Sequence, residues 1–219
     1  MLSAALRKEA LLQWRGLART LAVLAFGGTA LLLFSFAGGP DSGALREQAP
    51  GYLWLALLLS STLALSESFD GEQEQRALEG LLLLPAPAAV LFYGKALANL
   101  LQLAALGSGL LPMAVVLYDM PLPRPWTLLG ILVLGSAGLA APGTLYAALS
   151  ARARARQTLL PLLLFPLVVP VLVACVKATS LSVTGDPMGQ LRSWTLLLVC
   201  FNAVYWPLCG LLFDRVVES

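Results

Sequence analysis

Apolar residues fall along this chain in six long runs separated by short polar interruptions, and that spacing predicts its architecture. The runs cover Leu21 to Ala37, Tyr52 to Leu65, Ala96 to Tyr118, Trp126 to Leu149, Leu159 to Val176 and Trp194 to Phe213. A helix needs about 20 mainly apolar residues to cross a hydrocarbon layer roughly 30 Å thick, so each run is read as one transmembrane helix. The second run is short and is extended through Ala49 and Ser66. The expected spans are 21–39, 49–66, 94–118, 126–150, 158–177 and 193–213, in one all-α integral membrane domain over residues 1–219. Tyr52, Trp54, Tyr93, Tyr118, Trp126 and Trp194 stand at boundaries where an aromatic ring with a polar edge suits the headgroup layer.

Ahead of the first span, Leu2, Leu6, Ala10, Trp14, Leu17 and Leu21 recur every three or four residues, with Arg7, Lys8, Arg15 and Arg19 largely on other faces. This predicts an amphipathic helix lying along the interface over residues 1–20. Basic residues before an apolar run also open secretory signals, but this run is long, and an uncleaved first span is expected.

Composition supports lipid as the solvent: 58% of the residues are hydrophobic and 12% charged, against about 25% charged in a soluble domain. Arg7, Lys8, Arg15, Arg19, Arg76, Lys95, Arg152, Arg154, Arg156 and Arg215 fall on one side of the expected topology, and only Arg46, Arg124, Lys177 and Arg192 on the other. Ten against four predicts that both termini are cytoplasmic. The net charge of +2 gives no case for nucleic-acid binding, and the Arg152, Arg154, Arg156 group reads as a topology signal drawn to anionic lipid.

The longest polar interruption, Ser66 to Gly94, falls on the cytoplasmic side and is rich in acids. Glu67, Asp70 and Glu74 are spaced i, i+3, i+7 on one helical face, and Glu72 with Arg76 forms an i, i+4 pair. Leu78, Leu81 and Leu82 continue an apolar stripe until Pro85 and Pro87 stop it. Acids gain nothing inside a bilayer, so the segment is read as a docking element for a cytoplasmic partner; the competing reading is a solvated loop helix.

Several chemistries are excluded or disfavoured. The chain has no histidine, which removes an imidazole base, an axial haem imidazole and a His-based zinc site. Gly107-Ser108-Gly109 therefore lacks the usual base of a serine protease, and tight helix packing explains its glycines better. Gly94-Lys95-Ala96 lacks the upstream Gly and the Ser or Thr of a phosphate loop. Lys95 is expected to snorkel to the cytoplasmic interface, and Asp119 and Lys177 to lie near the outer one, leaving no proton relay at the midplane. Asn99 and Gln102 are expected to bond a neighbouring helix, and Cys175, Cys200 and Cys209 to be buried thiols.

Ser136, Ala140, Thr144 and Ala148 form a small-residue ridge that lets another backbone approach. Pro142 interrupts the same span, and Pro161, Pro166 and Pro170 load the fifth. These four are hinge candidates, with a static kink accommodated by neighbours as the alternative.

Ala77-Leu78-Glu79-Gly80-Leu81-Leu82-Leu83-Leu84-Pro85-Ala86-Pro87, followed by Gly94-Lys95, resembles a motif of six-span ABC export permeases. Glu67-Ser68-Phe69-Asp70, Ala141-Pro142-Gly143-Thr144-Leu145 and the proline-rich stretch Leu160 to Leu172 narrow the resemblance to the cytochrome c maturation protein B, or haem exporter protein B, family. The resemblance implies an ABC-2-type permease of the bacterial inner membrane that is not itself catalytic. It also implies a second copy of the chain, a separate cytoplasmic ATPase, a haem-handling membrane protein, a small single-span subunit and a periplasmic haem chaperone. ATP would act through the partner and haem would be handled by the complex, with no cofactor held directly by this chain and no metal. Glu67, Phe69, Asp70, Glu72, Glu74, Leu78, Glu79 and Leu82, within a coupling segment over 67–93, would face the ATPase. An export permease for a lipid, drug or polysaccharide is the alternative on the same architecture.

Overall fold

The computed structural model describes residues 17–39, 42–74, 88–151 and 156–218, and within them the chain forms six α-helices. They are α1 (Leu17–Ala37), α2 (Ser42–Glu74), α3 (Ala88–Tyr118), α4 (Pro125–Ala151), α5 (Arg156–Thr184) and α6 (Leu191–Glu218). Each contains a stretch long and apolar enough to cross a bilayer, from Thr20–Ala37 in the first to Leu191–Phe213 in the last. The expected six-span, all-α, multi-pass membrane protein is what the chain folds into.

The helices run past their apolar windows, because backbone hydrogen bonding stops at a cap rather than where lipid stops. Helix α2 begins at Ser42, ahead of the expected position 49, and carries Pro50 within it. Helix α3 begins at Ala88, six residues before position 94, and α5 continues to Thr184, seven beyond position 177. Residues 17–20, expected in an interfacial helix, open α1; residues 1–16 lie outside the described residues. The ends have local causes. Gly39 and Gly185 adopt positive φ (73° and 103°), a conformation that closes α1 and α5 without a Cβ clash. Asp119 takes the same region (φ 49°) after α3, and Asp186 accepts the backbone N–H groups of Gln190 and Leu191 at 2.8 and 2.9 Å to start α6.

Helix α4 is the central post. It touches α2, α3, α5 and α6, and these four close a ring about it: α2 on α3, α3 on α6, α6 on α5 and α5 on α2. Helix α1 lies outside the ring against α2 and α3. In α4, 72% of the span is buried, against 22% in α1 and in α6. Its sequence explains the position: α4 carries no charge, and small residues recur along it. Lipid tails are as apolar as leucine, so close van der Waals packing has to supply what a hydrophobic effect supplies in water. At Gly135 the Trp54 ring and the Cys175 sulfur occupy the space a Cβ would need, Gly138 receives Val171 (2.9 Å from where a Cβ would be), and Gly143 receives Leu65. The Ser136, Ala140, Thr144 ridge is buried accordingly, with Ala148 half-buried.

Two of the expected interface aromatics serve the core instead. The Trp54 indole N–H donates to Thr179 Oγ1 at 2.9 Å, and the Tyr118 hydroxyl donates to the Leu31 carbonyl at 2.7 Å, both buried. Trp126 remains exposed. At the same end of the bundle as Tyr118, Phe34 stacks on Tyr52 (5.0 Å between centroids), Tyr52 tilts against Tyr118, and Arg46 pairs with Asp119.

Gly135→Ala is expected to overpack the Trp54 and Cys175 contacts and lower stability by about 1–3 kcal/mol. Gly130, with nothing within 4 Å of its would-be Cβ, is expected to accept alanine with no loss and a gain of up to about 1 kcal/mol. Unfolding midpoints of the two purified variants in detergent check the contrast.

Candidate coupling and hinge elements

Glu67, Phe69, Asp70, Glu72 and Glu74 occupy the last two turns of α2, which continues from its span without a break. The eight residues after Ser66 extend the helix by about 12 Å. With helical backbone through Glu74, the i, i+3, i+7 spacing places Glu67, Asp70 and Glu74 on a common face. The side chains of residues 67–74 lie outside the described residues, as do Leu78, Glu79 and Leu82.

The end of α2 is level with the first turns of α3. The two helices run antiparallel with Tyr52 against Tyr118, and Ser60 and Leu110 meet beside Gly27, a register that brings residue 74 opposite the mid-nineties. There a second packed cluster ties α3, α4 and α6 together through Phe92, Ala96, Ala141, Leu145, Cys209 and Phe213. Tyr93 stacks on Trp206 (6.4 Å, 10° between planes), with Gly210 leaving room for its hydroxyl. Lys95 is buried (8% exposed) rather than snorkelling, because α3 extends a further turn and more ahead of it.

The hinge candidates divide into two kinds. Pro142 is buried in α4 and braced from both sides. Beyond it, the Asn99 amide donates to Thr144 Oγ1 at 2.9 Å, and that hydroxyl donates to the Ala140 carbonyl at 2.6 Å. Before it, the Asn202 amide of α6 donates to the carbonyls of Leu134 (3.0 Å) and Leu198 (2.8 Å), and the Trp206 indole N–H to Ala137 O and Asn202 Oδ1, each at 3.2 Å. Proline lacks an N–H and weakens the ladder of α4 on its N-terminal side; donors from α6 reach that stretch of backbone. Pro161, Pro166 and Pro170 lie within α5, which stays helical through all three, and Pro166 and Pro170 are exposed on its outward face.

Asn99 makes the interhelical bond its sequence position implied. The Asn202–Trp206 clasp was not read from the sequence, although the i, i+4 spacing of an amide and an indole in an apolar helix was its available signal. Ser108 donates to the Ala104 carbonyl at 2.7 Å, while its flanking glycines pack against Leu132 and Leu24. Cys175 and Cys209 are buried as expected; Cys200 is exposed, because α6 turns only a narrow face to the bundle.

The family model described as CcmB protein matches residues 1–214. The chain belongs to that family. Heme exporter protein B of Pseudomonas aeruginosa is 31% identical over 202 residues, covering 92% of this chain and 91% of the relative. The protein of the same name from Paracoccus denitrificans is 35% identical over 77% of this chain and 78% of its own length. That from Haemophilus influenzae is 31% identical over 84% and 83%.

A double-mutant cycle of Asn99→Leu and Thr144→Val, read by unfolding in mixed micelles, is expected to give a coupling of about 0.6 kcal/mol, the usual size of an interhelical bond in a membrane protein.

Proposed function

We propose that this chain is the membrane permease subunit of an ABC transporter complex for c-type cytochrome biogenesis. It serves haem export or handling in the bacterial inner membrane, with both termini cytoplasmic. The near-full-length membership in the CcmB protein family, with relatives named Heme exporter protein B, carries the reading. The bias of Lys and Arg supports the orientation.

In this reading the chain does no bond chemistry. A separate cytoplasmic ATPase binds and hydrolyses ATP, and the acid-rich end of α2 with the Leu78 to Leu82 stretch receives the resulting displacement. Helix α2 supports such a role physically, because one continuous rod leads from residue 74 to the opposite end of the bundle at Ser42. A push on the rod reaches α3, α4 and α5, which it contacts directly. The exposed prolines of α5 soften the outward face of one helix of the ring, whereas the clasped Pro142 keeps the post stiff. A second copy of the chain, the haem-handling membrane protein, the small single-span subunit and the periplasmic haem chaperone complete the assembly, whose ATP turnover is linked to release of the loaded chaperone.

Charge reversal at both Asp70 and Glu74 is expected to leave the ATPase co-purifying and turning over ATP while the yield of c-type cytochromes falls to background. Unchanged cytochrome yield, with the assembly intact, would remove the acidic end of α2 from the coupling path. A cysteine at Glu72 is expected to react with an impermeant maleimide only from the cytoplasmic face, measured in oriented vesicles.

A further inference from the structure

Helix α2 is continuous from Ser42 to Glu74, yet its two halves are held in different ways. In the first half, directional contacts tie it to its neighbours. Arg46 pairs with Asp119 at the end of α3, Tyr52 lies between Phe34 of α1 and Tyr118 of α3, and the Trp54 indole donates to Thr179 of α5. The Trp54 ring also fills the gap at Gly135 of α4. Residues 42–54 are thereby fastened to α1, α3, α4 and α5, the four helices that α2 touches.

From Ser60 onward the contacts change in kind. Ser60 is buried beside Gly27 and Leu110, its hydroxyl without a hydrogen bond among the described residues, and Leu65 sits in the notch left by Gly143. The hydroxyls that follow bond back to their own helix: Ser61 to the Leu58 carbonyl (2.7 Å), Thr62 to Leu59 (2.8 Å) and Ser66 to Leu63 (2.8 Å). Hydroxyls bonded back to the preceding turn compete for its carbonyls and often bend a helix. In other helices Thr29, Ser108, Thr144 and Thr184 stand apart from one another and reach the fourth preceding carbonyl. In α2, two adjacent residues and a third one turn on all reach the third, and this run separates the fastened half from the acid-rich end.

We propose that α2 is a lever with one fixed end and a built-in flexure at Ser61–Thr62: residues 42–54 stay seated while the stretch from Leu65 to Glu74 swings when the ATPase acts on it. Swinging shifts apolar contacts at Ser60 and Leu65, whereas sliding the whole helix would break the bonds of Arg46 and Trp54 and unstack Tyr52. By sharing the Leu58 and Leu59 carbonyls, the two hydroxyls let that turn open without leaving a buried oxygen bare. Residue 73 lies about 16 Å beyond Thr62, so a bend of about 10° displaces it by about 3 Å. The proposal rests on the coupling reading above and names its moving part.

The test uses the full chain co-purified with its ATPase in nanodiscs, with Cys200→Ser removing the exposed thiol and nitroxide labels on two pairs of introduced cysteines. Labelled chain is diluted with unlabelled chain so that one copy per complex carries the labels. One pair, Gln73→Cys with Leu149→Cys, reports the acid-rich end of α2 against α4; the other, Glu47→Cys with Trp126→Cys, reports the first half against the same helix. A non-hydrolysable ATP analogue is expected to shift the first distance by about 3 Å, as the bend requires, and to leave the second unchanged. Ser61→Ala with Thr62→Val is expected to abolish the first shift, and Ser61→Thr with Thr62→Ser to retain it. An equal shift in both pairs, or an undiminished shift with Ser61→Ala and Thr62→Val, would overturn the flexure while leaving α2 in the coupling path. No shift in either pair would overturn the flexure and the coupling reading together.

Discussion

Inside hydrocarbon the backbone has no water to bond to, and every N–H and C=O must find its partner within the protein. This constraint makes the chain helical across all six spans, and it leaves the assembly of the helices to close packing and a few polar bonds. Helix α4 shows how the second problem is solved. Its glycines admit Trp54, Cys175, Val171 and Leu65 where side chains would hold the neighbours off, and four helices gather round it as a result.

The same constraint bears on Pro142. A proline in the central helix leaves the Gly138 carbonyl without its helical donor, and the polar bonds nearby fall on the flanking carbonyls of Leu134, Ala137 and Ala140. Asn99 and Thr144 act on one side, Asn202 and Trp206 on the other. Among the described residues, no side-chain bond reaches the backbone around Pro166 and Pro170 on the exposed face of α5. Two helices that look similarly interrupted are thus held differently: the proline of α4 sits buried among interhelical bonds, whereas Pro166 and Pro170 of α5 face outward.

Family membership and fold bear on different parts of the functional reading. The match over residues 1–214 indicates which machine the chain serves. The geometry adds that the α2 rod extends from its span into the acid-rich segment and packs against α3, α4 and α5. The packed cluster of Phe92, Tyr93, Trp206 and Phe213, level with the end of that rod, ties α3 to α6.

Hydropathy alone determined the number of spans, since a run of about 20 apolar residues has one stable disposition in a bilayer. Local spacing made the helical character of the 67–74 stretch, the packing role of Gly107 and Gly109, and the interhelical bond of Asn99 legible as well. Which face of each span meets which neighbour was not legible, because a helix that is apolar all round carries almost no directional signal. Only the tertiary structure made α4 the post, turned Trp54 and Tyr118 from interface to core, paired Asn202 with Trp206 across two helices, and carried α5 past Lys177. Those outcomes depend on caps and on the fit of individual side chains into individual gaps, and such complementarity exists only once the helices stand side by side.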